Sequence, residues 1–231
     1  MIITIDGPVA SGKSTVSRIL ADKLGCYYLC SGLIYRAIAY LLVNNYGYTI
    51  TTIDHIAAED VKQCADVARL RYHYDELCQE RIFFDNRDIT LYLKDKFMDQ
   101  VSSIVSVNRD VREAVTAIQR DIASHYNIVT DGRDVGSVVF PAAQVKFFLT
   151  ASVEVRASRW RKDQEKYDNH FSLAEAVALI TERDNRDKNR TIAPLIIPSD
   201  AIVIDNSELN VEQVVEKMMY YINDRLSSEL L

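Results

Sequence analysis

Gly7-Pro8-Val9-Ala10-Ser11-Gly12-Lys13-Ser14 decides how this chain is read. The stretch matches the pattern GxxxxGK followed by Ser or Thr, and its surroundings match as well. Before it, Ile2 to Ile5 is a short apolar run rich in β-branched residues. After it, Val16, Ile19, Leu20 and Leu24 recur at helical spacing. Strand, glycine loop and helix in that order open a βαβ unit. The residue types follow from the chemistry of phosphate. Glycines let the backbone curl so that several N–H groups point inward, and the helix N-terminus adds positive potential. The pattern assigns Lys13 to the β- and γ-phosphates and the Ser14 hydroxyl to Mg²⁺. A chance glycine turn before a helix does not account for all four fixed positions in this setting. The segment reads as a nucleoside triphosphate site.

Working outward, four further runs read as buried parallel strands: Tyr27 to Cys30, Asn127 to Thr130, Val145 to Thr150 and Ala201 to Ile204. A last helix, about Val211 to Leu226, carries Val211, Val214, Val215, Met218, Met219 and Ile222 on one stripe, which reads as core. Two stretches interrupt the α/β alternation. Between about Val67 and Leu93, Arg71 to Tyr74 and Arg81 to Phe84 flank turns, and Asp85-Asn86 is a candidate hairpin closure. This predicts a small antiparallel insert. Val153 to Arg190 is strongly charged, apart from Leu173, Ala176, Val177 and Ile180, and has the composition of a mobile helical lid. No repeat or Pro/Gly linker separates these pieces, so they read as inserts in one domain.

Composition excludes other classes. The 231 residues carry a net charge of −6 and 48% hydrophobic residues. An acidic balance argues against a broad grip on DNA or RNA, though not against a small anionic ligand held by local cations. No run approaches the ~18 apolar residues of a membrane span. The start, MIITIDG, is strand-like with no basic-then-apolar leader, and Cys26, Cys30, Cys64 and Cys78 contain no CxxC pair. Reduced thiols and a cytoplasmic location are expected. Glycine is scarce, 7 in all, and five of them (Gly7, Gly12, Gly32, Gly132 and Gly136) fall in the motifs described here. Gly25 and Gly47 read as helix ends.

Three more clusters bear on the chemistry. Ser31-Gly32-Leu33-Ile34-Tyr35-Arg36 follows the second strand, with Ser31 placed to cap a helix. An ordinary cap with a surface arginine is its bland alternative. Asp131-Gly132-Arg133-Asp134-Val135-Gly136 stands at the end of the Asn127–Thr130 strand, the edge where open α/β sheets bind ligands. There Asp131 suits Mg²⁺ or its waters and Arg133 suits phosphate. A loop ion pair is the alternative. Arg183, Arg186 and Arg190 share a helical face with Asp187 between them. Such a face is either a solvated ladder of ion pairs or a clamp for a transferred phosphoryl group.

Together these segments resemble the bacterial cytidylate kinases, a branch of the nucleoside monophosphate kinases. The resemblance rests on IDGPVASGKST (5–15), SGLIYR (31–36), SSIVSVNRDVREAV (102–115), DGRDVGSVVFPAAQVKFFLTAS (131–152), VRASR (155–159) and RDNRDKNR (183–190), followed by Ala193-Pro194-Leu195. It implies the P-loop nucleoside-monophosphate-kinase fold of the α/β class: a parallel sheet flanked by helices, a small antiparallel monophosphate-binding insert and a helical lid. As a single kinase domain, residues 1–36, 100–154 and 191–231 would form the core, 37–99 the insert and 155–190 the lid.

The implied activity is phosphorylation of CMP and dCMP by ATP with Mg²⁺, in pyrimidine nucleotide metabolism, by a cytoplasmic monomer with no nucleic-acid or membrane partner. ATP would meet Gly7, Pro8, Val9, Ala10, Ser11, Gly12, Lys13, Ser14, Thr15 and Arg159; Ser14 and Asp131, directly or through water, would hold the metal. CMP would meet Ser31, Tyr35, Arg36, Ser103, Arg112, Arg133, Asp134, Arg183, Asp187 and Arg190. Of these, Ser103, Arg112 and Asp134 would read cytosine, Arg183 and Asp187 the sugar hydroxyls. Lys13, Arg133, Arg183 and Arg190 would carry the catalysis. Two positions depart from the family: Cys30 stands where Asp is usual, and Arg159-Trp160 where an Arg-Arg pair is usual. A kinase for UMP or shikimate is the nearest rival. A GTPase-like switch would need an NKxD-type motif, which the sequence lacks, and the scattered His55, His73, His125 and His170 make a poor metal site.

Overall fold

The computed structural model describes residues 1–166 and 168–228. In chain order its elements are β1 (Ile2–Asp6), α1 (Lys13–Leu24), β2 (Tyr27–Cys30), α2 (Ser31–Tyr46), α3 (Ala58–Cys64), β3 (Leu70–Tyr74), β4 (Glu80–Phe84), β5 (Arg87–Asp88), α4 (Lys96–Val105), α5 (Arg109–His125), β6 (Ile128–Gly132), β7 (Val145–Thr150), α6 (Val153–Glu165), α7 (Leu173–Asn189), β8 (Ile202–Asp205) and α8 (Val211–Ser228). Single helical turns occupy Thr90–Leu93 and Val135–Val139. Residue 167 of the expected lid and residues 229–231 of the expected core lie outside the described residues.

The chain divides into two compact units, Met1–Tyr28 with the chain from Asn127 onward, and Leu29–Tyr126. The first is built on a five-stranded sheet in the order β2-β6-β1-β7-β8. Strand β1 runs parallel to β6 and β7, and β7 parallel to β8. Strands covered on both faces need apolar residues at nearly every position, which is why the expected runs were continuous rather than alternating. Ile3, Thr4, Ile5 and Asp6 are all buried, as are Val145 to Leu149. The five expected strands are present, but β8 is corrected from a buried strand to an edge strand: it has a neighbour on one side only, and Val203 is 51% exposed. Strand β6 runs further than expected, because Asp131 and Gly132 stay in register opposite Ile5 and Asp6. Those two residues are therefore held by the sheet and not by a loop. Of the expected stripe on α8, Val214, Val215, Met218 and Ile222 are fully buried.

In the second unit β3, β4 and β5 form the expected antiparallel sheet. Leu70 pairs with Phe84, Tyr72 with Ile82 and Tyr74 with Glu80, so a period of two puts the apolar set on one face. Asp85 and Asn86 close the β4–β5 hairpin with φ of +48° and +66°. Both central residues at positive φ make the primed turn that suits the twist of two strands, and Asp and Asn tolerate it. Helices α1 and α2 end at Gly25 and Gly47, as expected. The expected cap at Ser31 is corrected: Ser31 is already the first helical residue, and Cys30 stands at the cap with no side-chain hydrogen bond. Strand β2 runs to Cys30 without a spacer, so the extended residue before the helix is the last of the strand.

Two glycines lie closer to their neighbours than a side chain allows, Gly7 against backbone and Gly136 against side chains. A Cβ on Gly7 would lie 2.0 Å from the Leu149 carbonyl oxygen. One on Gly136 would lie 2.7 Å from Thr4 Oγ1 and 3.1 Å from Asp6 Oδ2. Overpacking of this kind costs about 1–3 kcal/mol. Gly136→Ala is therefore expected to lower the thermal midpoint by about 2–12 °C. An unchanged midpoint would show that the turn can lift off β1.

Candidate active site

The loop between β1 and α1 is tied down at both ends of its tip. The Val9 N–H donates to Asp184 Oδ1 at 3.0 Å, and the Val9 carbonyl accepts from Arg156 at 3.1 Å. Arg156 and Asp184 also bond each other at 2.6 Å, joining α6 to α7, with both side chains buried. Val9, Ala157, Ala176 and Ile180 form one apolar cluster, flanked by Ala10, Val153, Trp160 and Val177. The apolar positions noted in the charged 153–190 segment thus pack on the loop, except Leu173, which is exposed. Ser172 and Glu175 start α7 with a reciprocal capping box.

Lys13 is buried, and its ammonium donates to the Pro8 carbonyl at 2.7 Å and to Ser11 Oγ at 3.3 Å. Burial, followed by the neighbouring Arg133 charge, pushes its pKa well below that of a free lysine; Asp131, Asp187 and Asp6 oppose the fall. The Ser14 hydroxyl donates to Asp131 Oδ2 at 3.0 Å, and Tyr28 OH donates to Asp131 Oδ1 at 2.5 Å. The two expected metal ligands are therefore adjacent. A hydroxyl and one carboxylate, both hard oxygen donors, fit Mg²⁺, which takes few protein ligands and completes its shell with phosphate and water. Among the described residues no three His, Cys, Asp or Glu side chains gather into an all-protein metal cage.

Beyond β6 the expected cationic residues are held by carboxylates. Arg133 Nε donates to Asp187 Oδ2 at 2.7 Å, and Arg190 donates to Asp134 Oδ1 at 3.0 Å and to the Ala193 carbonyl at 2.6 Å. Burial works against ionisation of Asp187, but Arg133, with Arg183 and Arg190, holds its carboxyl below the usual range. The expected three-arginine face is corrected. Helix α7 stops at Asn189, and Arg190 follows with extended backbone. Arg186 pairs with Glu182 on the partly exposed side. Arg183 and Arg186, three residues apart, remain neighbours on one face of α7; the departure is Arg190, which lies past the helix end. Arg159, expected on the ATP side, bonds Asn206.

The second unit carries the rest of the expected acceptor residues. The Arg112 guanidinium lies over the Tyr35 ring, 5.6 Å from its centre, and donates to the Ser106 carbonyl at 2.9 Å. Ser31, Ser103 and Arg112 are buried, and Arg36 pairs with Asp99 at 2.7 Å. Buried arginine and serine groups in one small unit are the donors and acceptors a polar base requires.

Five residues escaped the sequence reading: Asp6, Tyr28, Arg156, Asp184 and Asn206. Asp6 ends β1 and accepts from the N–H groups of Val135 and Gly136 at 2.9 and 2.8 Å. Burial pushes its carboxyl up to about 6, against the pull of those two N–H groups. Its position at a strand end beside the glycine loop was a signal. Asn206 had the same signal, since it follows β8 at the edge where such sheets bind ligands. Asp184 lies within RDNRDKNR (183–190), where the arginines are the more evident partners for phosphate.

The family model for cytidylate kinase matches residues 3–224. A cytidylate kinase from Caldanaerobacter subterraneus subsp. tengcongensis is 38% identical over 228 residues, covering 99% of this chain and 97% of the relative. One from a Marinomonas species is 38% identical over 215 residues, covering 93% and 92%. A solved structure of an uncharacterized protein from Eubacterium ventriosum shares the fold, with a TM-score of 0.51, 12% identity, and coverage of 96% and 98%. A phosphate loop with its lysine and hydroxyl in place, on a parallel sheet, and a match along almost the whole sequence agree: this chain belongs to the cytidylate kinase family and is a kinase.

Proposed function

We propose that the chain transfers the γ-phosphoryl group of ATP to CMP and dCMP, giving ADP with CDP or dCDP, as a step in pyrimidine nucleotide metabolism. Family membership carries the acceptor; the Ser14–Asp131 contact beside Lys13 supports a metal-bound triphosphate as donor. The acceptor phosphate oxygen is already ionised at neutral pH, so the reaction needs no strong base. What remains is alignment of the two phosphates and stabilisation of spreading negative charge. The loop from Gly7 to Thr15 would bind the triphosphate, with Lys13 on its β- and γ-phosphates. Arg133, Arg183 and Arg190 would meet the charge on the transferred group and its neighbours. Ser14 and Asp131 would hold Mg²⁺, which when bound neutralises phosphate oxygens.

On the acceptor side, Arg36 would take the monophosphate, with Ser31 and Tyr35 beside it. Ser103, Arg112 and Asp134 would read cytosine, whose edge offers an amino donor and ring acceptors. Arg183 and Asp187 would hold the sugar. In this reading 1–36, 100–154 and 191–231 form the core of one kinase domain, 37–99 the acceptor insert and 155–190 the lid. The reading includes a monomer working in the cytoplasm. No helix among the described residues is long and apolar enough to cross a membrane.

Rates of transfer to CMP and dCMP, measured side by side, test the proposal. Turnover of CMP no faster than ATP hydrolysis without acceptor would refute it. The base-reading role has its own test. Asp134→Asn keeps the shape that faces Arg190 while changing what cytosine meets. It is expected to lower the CMP-to-UMP ratio of kcat/KM about tenfold or more. An unaltered ratio would move base reading elsewhere.

A further inference from the structure

Asn206 is buried at 3% exposure and uses every polar group it has. Its backbone N–H donates to the Thr150 carbonyl at 2.8 Å, which fixes the residue to the end of β7. Its side-chain Nδ2 donates to the Ser11 carbonyl at 2.9 Å, inside the phosphate loop. On its other side, Oδ1 and the backbone carbonyl each accept from the Arg159 guanidinium at 2.9 Å. A Cβ on Gly12 would touch Nδ2 at 3.7 Å, so the amide also packs against the next loop residue. One side chain thus meets a carbonyl with a donor and an arginine with an acceptor. Asparagine has both ends at this length; Asp would turn an acceptor toward the Ser11 carbonyl, and Ser lacks the reach.

We propose that Asn206 is the positioning residue for the donor nucleotide: it locks the Arg159 guanidinium of α6 to the Ser11–Gly12 backbone, so that loop and arginine meet the triphosphate nucleotide as one preformed surface. This rests on the ATP reading of the loop and of Arg159. Fixing a flexible arginine before binding removes an ordering cost that the nucleotide would otherwise carry, so the effect falls on donor affinity and not on the acceptor.

The test compares wild type, Asn206→Asp, Arg159→Ala and the double variant, each checked for folding by thermal unfolding. Equilibrium binding of ATP and steady-state KM values for ATP and CMP are the readouts. Asn206→Asp is expected to weaken ATP binding and raise KM for ATP about tenfold, with KM for CMP within twofold. Arg159→Ala is expected to act alike, and the double variant to be no worse than either single, because both break one relay. ATP affinity within twofold of wild type, equal increases in both KM values, or additive losses in the double variant would overturn the proposal. Should Asn206→Asp fail to fold, Asn206→Ser and Arg159→Ala carry the same comparison. A wild type that binds ATP but does not phosphorylate CMP would refute the acceptor assignment while leaving this inference testable by binding. A wild type that binds no ATP would overturn both.

Discussion

Lys13→Ala is expected to lower turnover by about 10²- to 10³-fold while changing CMP affinity less than threefold. The ammonium sits within the phosphate loop, on the Pro8 carbonyl and Ser11 Oγ, where burial makes its charge costly. A buried cation is retained against that cost when it stabilises charge that develops during reaction, and a low-dielectric setting strengthens the effect. Its pKa is depressed by burial and by Arg133, so its charge is lost at a lower pH than that of a free lysine. Three carboxylates, Asp131, Asp187 and Asp6, oppose the fall. Removing the group takes away a buried charge and leaves a small gap, so the fold should persist. Single-turnover transfer and CMP binding separate the two effects. Turnover within threefold of wild type would remove Lys13 from the chemistry.

Asp184→Ala is expected to cost about 3–5 kcal/mol of stability, the range seen when one partner of a buried ion pair is deleted. Arg156 would be left buried with a charge and no carboxylate, and the Val9 N–H would lose its acceptor. For a chain of this size that corresponds to roughly 6–20 °C in thermal midpoint. The double change Asp184→Leu with Arg156→Met should recover much of the loss, since an apolar pair of similar volume avoids the stranded charge. A fall below about 1 kcal/mol would show that the pair is screened by solvent. The same clamp matters for activity, because it joins α6, α7 and the tip of the phosphate loop. Motion of the 155–190 segment must either carry Val9 along or break the two hydrogen bonds that Arg156 and Asp184 make with it.

Local chemistry was legible in the sequence. The glycine loop, the continuous apolar strands and the Asp85-Asn86 turn each follow from residues within a few positions, and each stands where it was expected. Ser14 and Asp131 came together because sheet order, not sequence distance, brings strand ends side by side. The cap at Ser31 failed because the strand ran straight into the helix and left no room for a capping residue. What stayed hidden has a common cause. Asp184 reaches Val9 across 175 positions, Asn206 reaches Ser11 across 195, and Asp6 reaches Gly136 across 130. Such bonds exist only once the sheet has assembled, and no local pattern distinguishes these polar residues from solvated ones.

The most direct measurement follows the γ-phosphate of labelled ATP into product, with CMP, UMP or shikimate as acceptor and with or without Mg²⁺. Label is expected in CDP, dependent on Mg²⁺ and at least tenfold faster than transfer to UMP or shikimate. Label appearing only in inorganic phosphate, or passing to another acceptor faster than to CMP, would contradict it.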